Sequence, residues 1–452
     1  MAASKQPEPE PEPPAPASED AEQPEQESVP EMPASKPEPD PEQRRRRRTT
    51  VNALTLASVV RNIAINIRNL SEQEIWNDAY SGDFGAQAQA QGLLESASSV
   101  FSFVLNPILG GVSDSVGRKP LMNMAPCVSV VSCTIMGLRP GVPALVMRRF
   151  CSPLSNTPWH SGESACLADL FQGDPAGYGL ARSRINSMSS ATKIVGPVIG
   201  AWLAAKHSSL PWFLSAFGFA VMATVIRVAL RETLETKKRV KFKWKRSTNP
   251  LRFLTLFRGS NKLRVLVIAH LWSQAFTGRR STSRYENLHL TQQFGWGIAE
   301  RAKYSSFRGL FDVPASHLSG TIMQRLGVEQ ALMVGNATNI LEQILFGCAR
   351  QGWHYYAIRP LRVTADVAEL AMQYITTNIG AAEGIPQGEL QAALSSLSTV
   401  IRIITPIIWG RLYAYGVSIG MPQLFYFVSA GAGVVQVILL RVLCALVRRD
   451  QK

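Results

Sequence analysis

The 452-residue chain lacks the patterns that mark most soluble enzymes and secreted scaffolds. Its six cysteines, Cys127, Cys133, Cys151, Cys166, Cys348 and Cys444, form no CxxC pair and no metal-ligand spacing, which excludes a disulfide framework and a cysteine-based zinc site. The six histidines form no HExxH or other paired-ligand pattern. With no phosphate-cradling GxxxxGK loop and no nucleophile elbow, the chain is expected to be no enzyme and to hold no metal and no cofactor. Its first residues have neither the basic n-region nor the apolar h-region of a secretory signal, and their acidity argues against a transit peptide. Charge of either sign is missing from four long windows, 96–113, 120–138, 207–226 and 412–440.

Those windows decide the class. A helix needs about 20 apolar residues to cross the hydrocarbon core of a bilayer, and several soluble core helices would not be this long and this free of charge. The window 412–440 is too long for one span and holds a turn signal at 416–422. Splitting the chain at such signals predicts an all-α membrane protein of about 12 transmembrane helices, near 51–70, 86–112, 119–138, 142–170, 181–206, 209–230, 263–278, 295–320, 327–349, 353–380, 388–415 and 421–447. The first is interrupted by Arg61, Asn62, Asn66 and Arg68, the eighth by Arg301, Lys303, Arg308 and Asp312. Such groups are costly against lipid, so they are expected to face the bundle interior or sit at its ends.

The remaining charge is segregated. The first 43 residues hold 12 of the 33 acidic residues, 12 of the 28 prolines and two lysines. Such a segment cannot offset its ordering entropy and is expected to be disordered, as a solvated tail or a Pro-rich docking segment. The expected organisation is a tail over 1–48 ending in a polybasic run, a six-helix half over 49–230, a basic cytoplasmic linker over 231–262, a second six-helix half over 263–447 and a short tail over 448–452. With the N-terminus inside, 25 Lys and Arg fall on the cytoplasmic side against six opposite, which places both termini in the cytoplasm. The stretch 231–264 interleaves Phe and Trp with twelve basic residues, a composition that suits an anionic lipid surface better than a nucleic acid.

The two halves repeat. Gly110-x3-Asp114-x2-Gly117 aligns with Gly320-x3-Gln324-x2-Gly327, and Gly196-Pro197-x2-Gly200 with Thr405-Pro406-x3-Gly410. Lys193 and Arg402 each stand four residues before those prolines, and Arg149 and Arg359 are 210 residues apart. Four matches at nearly one offset imply a duplication.

These residues resemble the major facilitator superfamily. GGVSDSVGRKPL (110–121) is similar to that family's signature loop between helices two and three, and MRRFCSPL (147–154) to its helix-four motif, with Arg149 on the motif's arginine. ACLADLFQGDP (165–175) resembles the end of helix four, KIVGPVIGAWLA (193–204) the helix-five motif and RETLE (231–235) the exit of helix six. IPQGELQAALSSL (385–397) resembles the start of helix eleven in drug-efflux and tetracycline-resistance-like members. The resemblance implies a monomeric rocker-type secondary transporter for a small-molecule solute, with a midplane cavity between the halves. Gly110 and Gly117 are expected to permit close approach and a tight turn, and Arg118 and Lys119 to anchor the cytoplasmic face. Asp114 is expected to bias inward against outward states. Gly196, Pro197, Gly200 and Pro406 are expected to permit kinks, the first three where helices five and eight would meet. Ser115 stands where the family often has arginine, and helix one lacks a clear intramembrane acid.

Lys193 lies about 12 residues into its span, roughly 18 Å deep, and Arg402 at a similar depth. A cation there costs about 3 kcal/mol or more unless hydrated or paired. Lys193 and Arg402, with Arg149 and Arg359 nearer the outer end, are therefore candidates to receive an anionic solute. Structural ion pairing with Glu95, Glu342, Asp366 or Glu369 is the alternative. Proton coupling needs a buried carboxylate, for which Glu95, Asp312, Glu342 and Asp366 are candidates. The expected function is secondary active transport of a small solute by alternating access, in its finer form proton-coupled efflux of an anion. A non-transporting sensor or scaffold of the same fold is the rival.

Overall fold

A computed structural model describes residues 41–171, 174–234, 239, 254, 256–257, 259–277, 279–385 and 387–449. The expected disordered tail before residue 41 and most of the linker 231–262 lie outside the described residues. The chain divides into two units, Met1–Arg45 and Arg46–Lys452. The described part of the first is the opening of helix α1 (Pro41–Tyr80), which also takes in the polybasic run 44–48.

The second unit is helical throughout, with no strand among its described residues. After α1 come α2 (Phe84–Val116), α3 (Arg118–Leu138), α4 (Val142–Leu170), α5 (Pro175–Lys206) and α6 (Leu210–Ala229). Beyond the linker stands α7 (Asn261–Trp272), joined by one π-helical turn (Ser273–Thr277) to α8 (Arg279–Phe294). Then follow α9 (Ile298–Leu326), α10 (Val328–Cys348) and α11 (Gly352–Ile358). A 3₁₀ turn (Arg359–Leu361) leads into α12 (Arg362–Ala365), α13 (Val367–Ala382), α14 (Gln387–Ser418) and α15 (Leu424–Arg449).

Among the described residues six helices are long and apolar enough by themselves to cross a membrane: Arg44–Tyr80, Phe84–Ser113, Arg118–Leu138, Leu210–Ala229, Ala393–Ser418 and Leu424–Arg449. The others are diluted by charges that pair inside the protein. Arg148 of α4 meets Glu72 of α1, Lys193 of α5 meets Asp312 of α9, and Glu342 of α10 takes Arg359 and Arg362. Hydropathy counts these residues as polar although their partners remove the cost of burying them.

Buried apolar side chains form separate clusters. One draws only on residues between Val51 and Leu230, with Trp159 and Trp212 at its centre; another draws only on Leu256 to Cys444. Within the first group α3 packs on α4 and α6; within the second α10 packs on α13 and α15. The groups meet where α2 lies along α14 and α5 along α9. The α2–α14 approach is close in both directions: a Cβ on Gly92 would strike the Pro406 carbonyl, and one on Gly410 would come 2.8 Å from that of Ala88.

The repeat glycines behave alike. Gly117 ends α2 at φ +122° and Gly327 ends α9 at φ +77°, backbone states that L side chains rarely adopt. At Gly110, expected at a close approach, and at its repeat partner Gly320 a Cβ would meet nothing within 4 Å. The helix-five motif also points elsewhere than expected. Gly196 and Gly200, one turn apart on one face, abut Asn66 and the Ile67 carbonyl of α1, whereas the α5–α9 approach falls at Gly309 beside Lys193 and Ile194. Gly200→Val should therefore force α1 from α5 and lower stability by about 1–3 kcal/mol. Gly110→Ala should stay within about 0.5 kcal/mol of wild type. Thermal melts of both variants in one detergent check the contrast.

Candidate functional site

A cavity of about 1330 Å³ lies in the second unit, walled by α1, α2, α4 and α5 on one side and by the π turn, α8 and α14 on the other. Its walls follow from helical spacing. Asn69, Glu72, Gln73 and Trp76 recur at i, i+3, i+4 and i+7 on α1, and Ser395, Ser398, Thr399, Arg402 and Thr405 do the same on α14. Each helix thus turns a polar stripe to the cavity.

Four arginines (Arg149, Arg182, Arg284 and Arg402) line the wall against two glutamates, Glu72 and Glu95. Glu72 is held by Arg148, which also stacks 5.5 Å from the Trp212 ring. Glu95 is shared: its Oε2 meets Arg149 of α4 and, at 2.9 Å, Arg284 of α8. Arg182 pairs at 3.3 Å with Glu163, a buried residue of α4 that also accepts a hydrogen bond from Ser58. Arg61 donates to Asn156 at 2.7 Å beside His160. The wall therefore keeps more positive than negative charge after every pairing named here.

Of the residues singled out in the sequence, Arg149, Arg402, Glu95 and Pro406 line this cavity. Lys193, Arg359, Asp312, Glu342 and Asp366 do not. Lys193 Nζ meets Asp312 at 2.9 Å, Arg359 and Arg362 meet Glu342 at 3.3 and 3.1 Å, and Arg362 meets Asp366 at 2.8 Å.

The signature loop is held at one end of the bundle. Glu232, just past α6, accepts from the backbone N–H groups of Arg118 and Lys119 at 3.0 and 3.1 Å, capping α3. Lys119 Nζ donates to the Arg227 carbonyl at 2.8 Å, and Arg118 approaches Asp169 at 3.8 Å. Arg46 donates to the Glu232 carbonyl and Arg47 pairs at 3.3 Å with Asp174, the N-cap of α5. Asp114 lies in the last turn of α2.

The model of the Major Facilitator Superfamily matches residues 75–400. The chain belongs to this superfamily. It is similar to "Tetracycline resistance protein, class G" of Vibrio anguillarum, at 27% identity over 338 residues, covering 72% of this chain and 80% of that protein. Human "Hippocampus abundant transcript-like protein 1" is 22% identical over 331 residues, covering 71% and 63%. The fold resembles that of the human organic anion transporter MFSD10 (TETRAN), with a TM-score of 0.65 at 20% identity over 87% of this chain and 99% of that one. The nucleoside transporter NupG gives a TM-score of 0.65 at 12% identity, covering 87% and 98%. As a superfamily member it is a multi-pass integral membrane protein of a transporter fold.

In this superfamily member two parts of the site lie outside the spans expected from the sequence. Helix α1 extends to Tyr80, so helix one does carry an acid, Glu72, beyond the expected span 51–70. Helix α8 was expected as a link because RRSTSRYENLHLTQQF is polar, yet it supplies Ser283, Arg284, Tyr285 and Asn287 to the cavity. Its signal was the spacing of Tyr285, Leu288 and His289, which are buried together on one helical face.

Proposed function

We propose that the chain is a secondary active transporter of a small organic anion, working by alternating access between six-helix halves over 49–230 and 263–447. The observation that carries the reading is the cavity wall, four arginines against two glutamates, drawn from helices of both halves. Separate buried clusters and the matching neighbours, α3 with α4 and α6, α10 with α13 and α15, support the twelve-helix duplication. The name of the human organic anion transporter agrees with an anionic solute. The basic side of the topology supports cytoplasmic termini, and the signature loop with Arg118 and Lys119 is taken as the gate on that side. Proton-coupled efflux is its finer form, in keeping with the resemblance to drug-efflux and tetracycline-resistance-like members and with the relative named for tetracycline resistance. A charged cavity spanning both halves favours transport over a sensor or scaffold.

The test is uptake by proteoliposomes of a mixed panel of organic anions, cations and neutral sugars, with and without a pH gradient. Anion uptake should exceed that of the other classes, and Arg402→Glu should reduce it about 100-fold at unchanged melting temperature, since it reverses a cavity charge. Movement of only cations or sugars would remove the anion; no movement of any class would favour the sensor.

A further inference from the structure

Two guanidinium groups from different halves meet one carboxylate oxygen inside the cavity. Arg149 and Arg284 converge on Glu95 Oε2, and all three side chains keep a fifth to a third of their surface accessible, at 20%, 30% and 23%. Two forks aimed at one acceptor make the geometry that recognises a carboxylate or another planar oxyanion. Resting on the anion reading above, we propose that Glu95 is a built-in substitute for the solute's anionic group, and that the solute binds between Arg149 and Arg284 when Glu95 takes a proton and withdraws.

Competition for one position sets this order. With Glu95 ionised, its Oε2 fills the place between the two guanidinium groups that an incoming carboxylate needs, and taking a proton weakens its hold on both. The step moves one proton from water to Glu95; the guanidinium hydrogen bonds pass from Glu95 to the solute oxygens, and no covalent bond changes. The charged and imidazole groups that line the cavity with Glu95 are Glu72 of α1, Arg149 and His160 of α4, Arg182 of α5, Arg284 of α8 and Arg402 of α14. Glu72 does not compete for this role, because Arg148, itself buried, holds it. Proton and anion then travel together, so efflux requires that the compartment being emptied be the more acidic one. Because Arg284 sits on α8 and the other two on α4 and α2, either occupant bridges the halves at this point.

The experiment measures binding of radiolabelled benzoate and glutarate to the purified full chain between pH 5 and 8. Wild-type affinity for a bound probe should fall with rising pH, approaching about tenfold per unit once Glu95 is mostly ionised, as linkage to one proton demands. In Glu95→Gln the affinity should be flat with pH and no weaker than the wild-type value at pH 5. Arg284→Gln, which leaves Arg149 neutralised by Glu95, should lose binding at least tenfold at pH 7. A Glu95→Gln protein that melts like wild type but keeps the wild-type pH dependence, or Arg284→Gln with wild-type affinity, overturns the proposal while leaving the anion reading in place. Failure of wild type to bind either probe at any pH overturns both.

Discussion

Glu342→Ala is expected to cost about 3–5 kcal/mol, enough to leave little folded protein, because it takes from the buried Arg359 guanidinium the carboxylate that pairs with it. Glu342 is only 1% exposed and takes Arg359 at 3.3 Å and Arg362 at 3.1 Å. Asp366 compensates one of the two cations, meeting Arg362 at 2.8 Å, but Arg359 would be left facing a cavity where its carboxylate had been. Glu342→Gln keeps an acceptor without the charge and should fall between the two. The measurement is the yield of monodisperse protein and its melting temperature in one detergent, beside wild type. Uptake per folded molecule should be unchanged in Glu342→Gln. A normal melting temperature with lost uptake would instead return Arg359 to the solute path, where the sequence analysis placed it.

The membrane class was legible because it rests on a local property, long runs without charge, that no tertiary contact alters. The turns at Gly117 and Gly327 were legible for a similar reason, since the glycine and its repeat partner mark backbone states that only a few residues can adopt. What stayed hidden were the partners. Arg284 reaches Glu95 across 189 residues and Lys193 reaches Asp312 across 119, and neither spacing leaves a periodic trace. A cation deep in a span is either paired or hydrated, and which of the two Lys193 and Arg359 had taken left no trace in the sequence. The polar helices α8 and the end of α1 were lost to the same physics that makes them functional: a helix that lines a wet cavity does not need the apolar surface by which spans are recognised.

Lys193→Glu is expected to reduce uptake at least tenfold and to cost about 2 kcal/mol, and exchanging both partners should recover most of each loss. Lys193 joins α5 to α9 through Asp312 at 2.9 Å, so the pair crosses from one proposed half to the other. The two ends differ in environment: the Asp312 side chain is 5% exposed, that of Lys193 42%. The buried carboxylate therefore loses the ammonium it holds at 2.9 Å, and the figure is set below that for a fully buried pair because the lysine end is partly exposed. Lys193→Glu goes further than removing the partner, since it turns two carboxylates toward each other at the closest part of the α5–α9 contact. In the double variant Lys193→Asp with Asp312→Lys the attraction returns with its sign reversed, and melting temperature and uptake should rise together. Rescue of stability without rescue of uptake would mean that the ammonium at position 193 does more than hold the helices. It would then touch the solute, as its depth in the span first suggested, and the boundary of the binding site would have to be extended from the cavity to the α5–α9 seam.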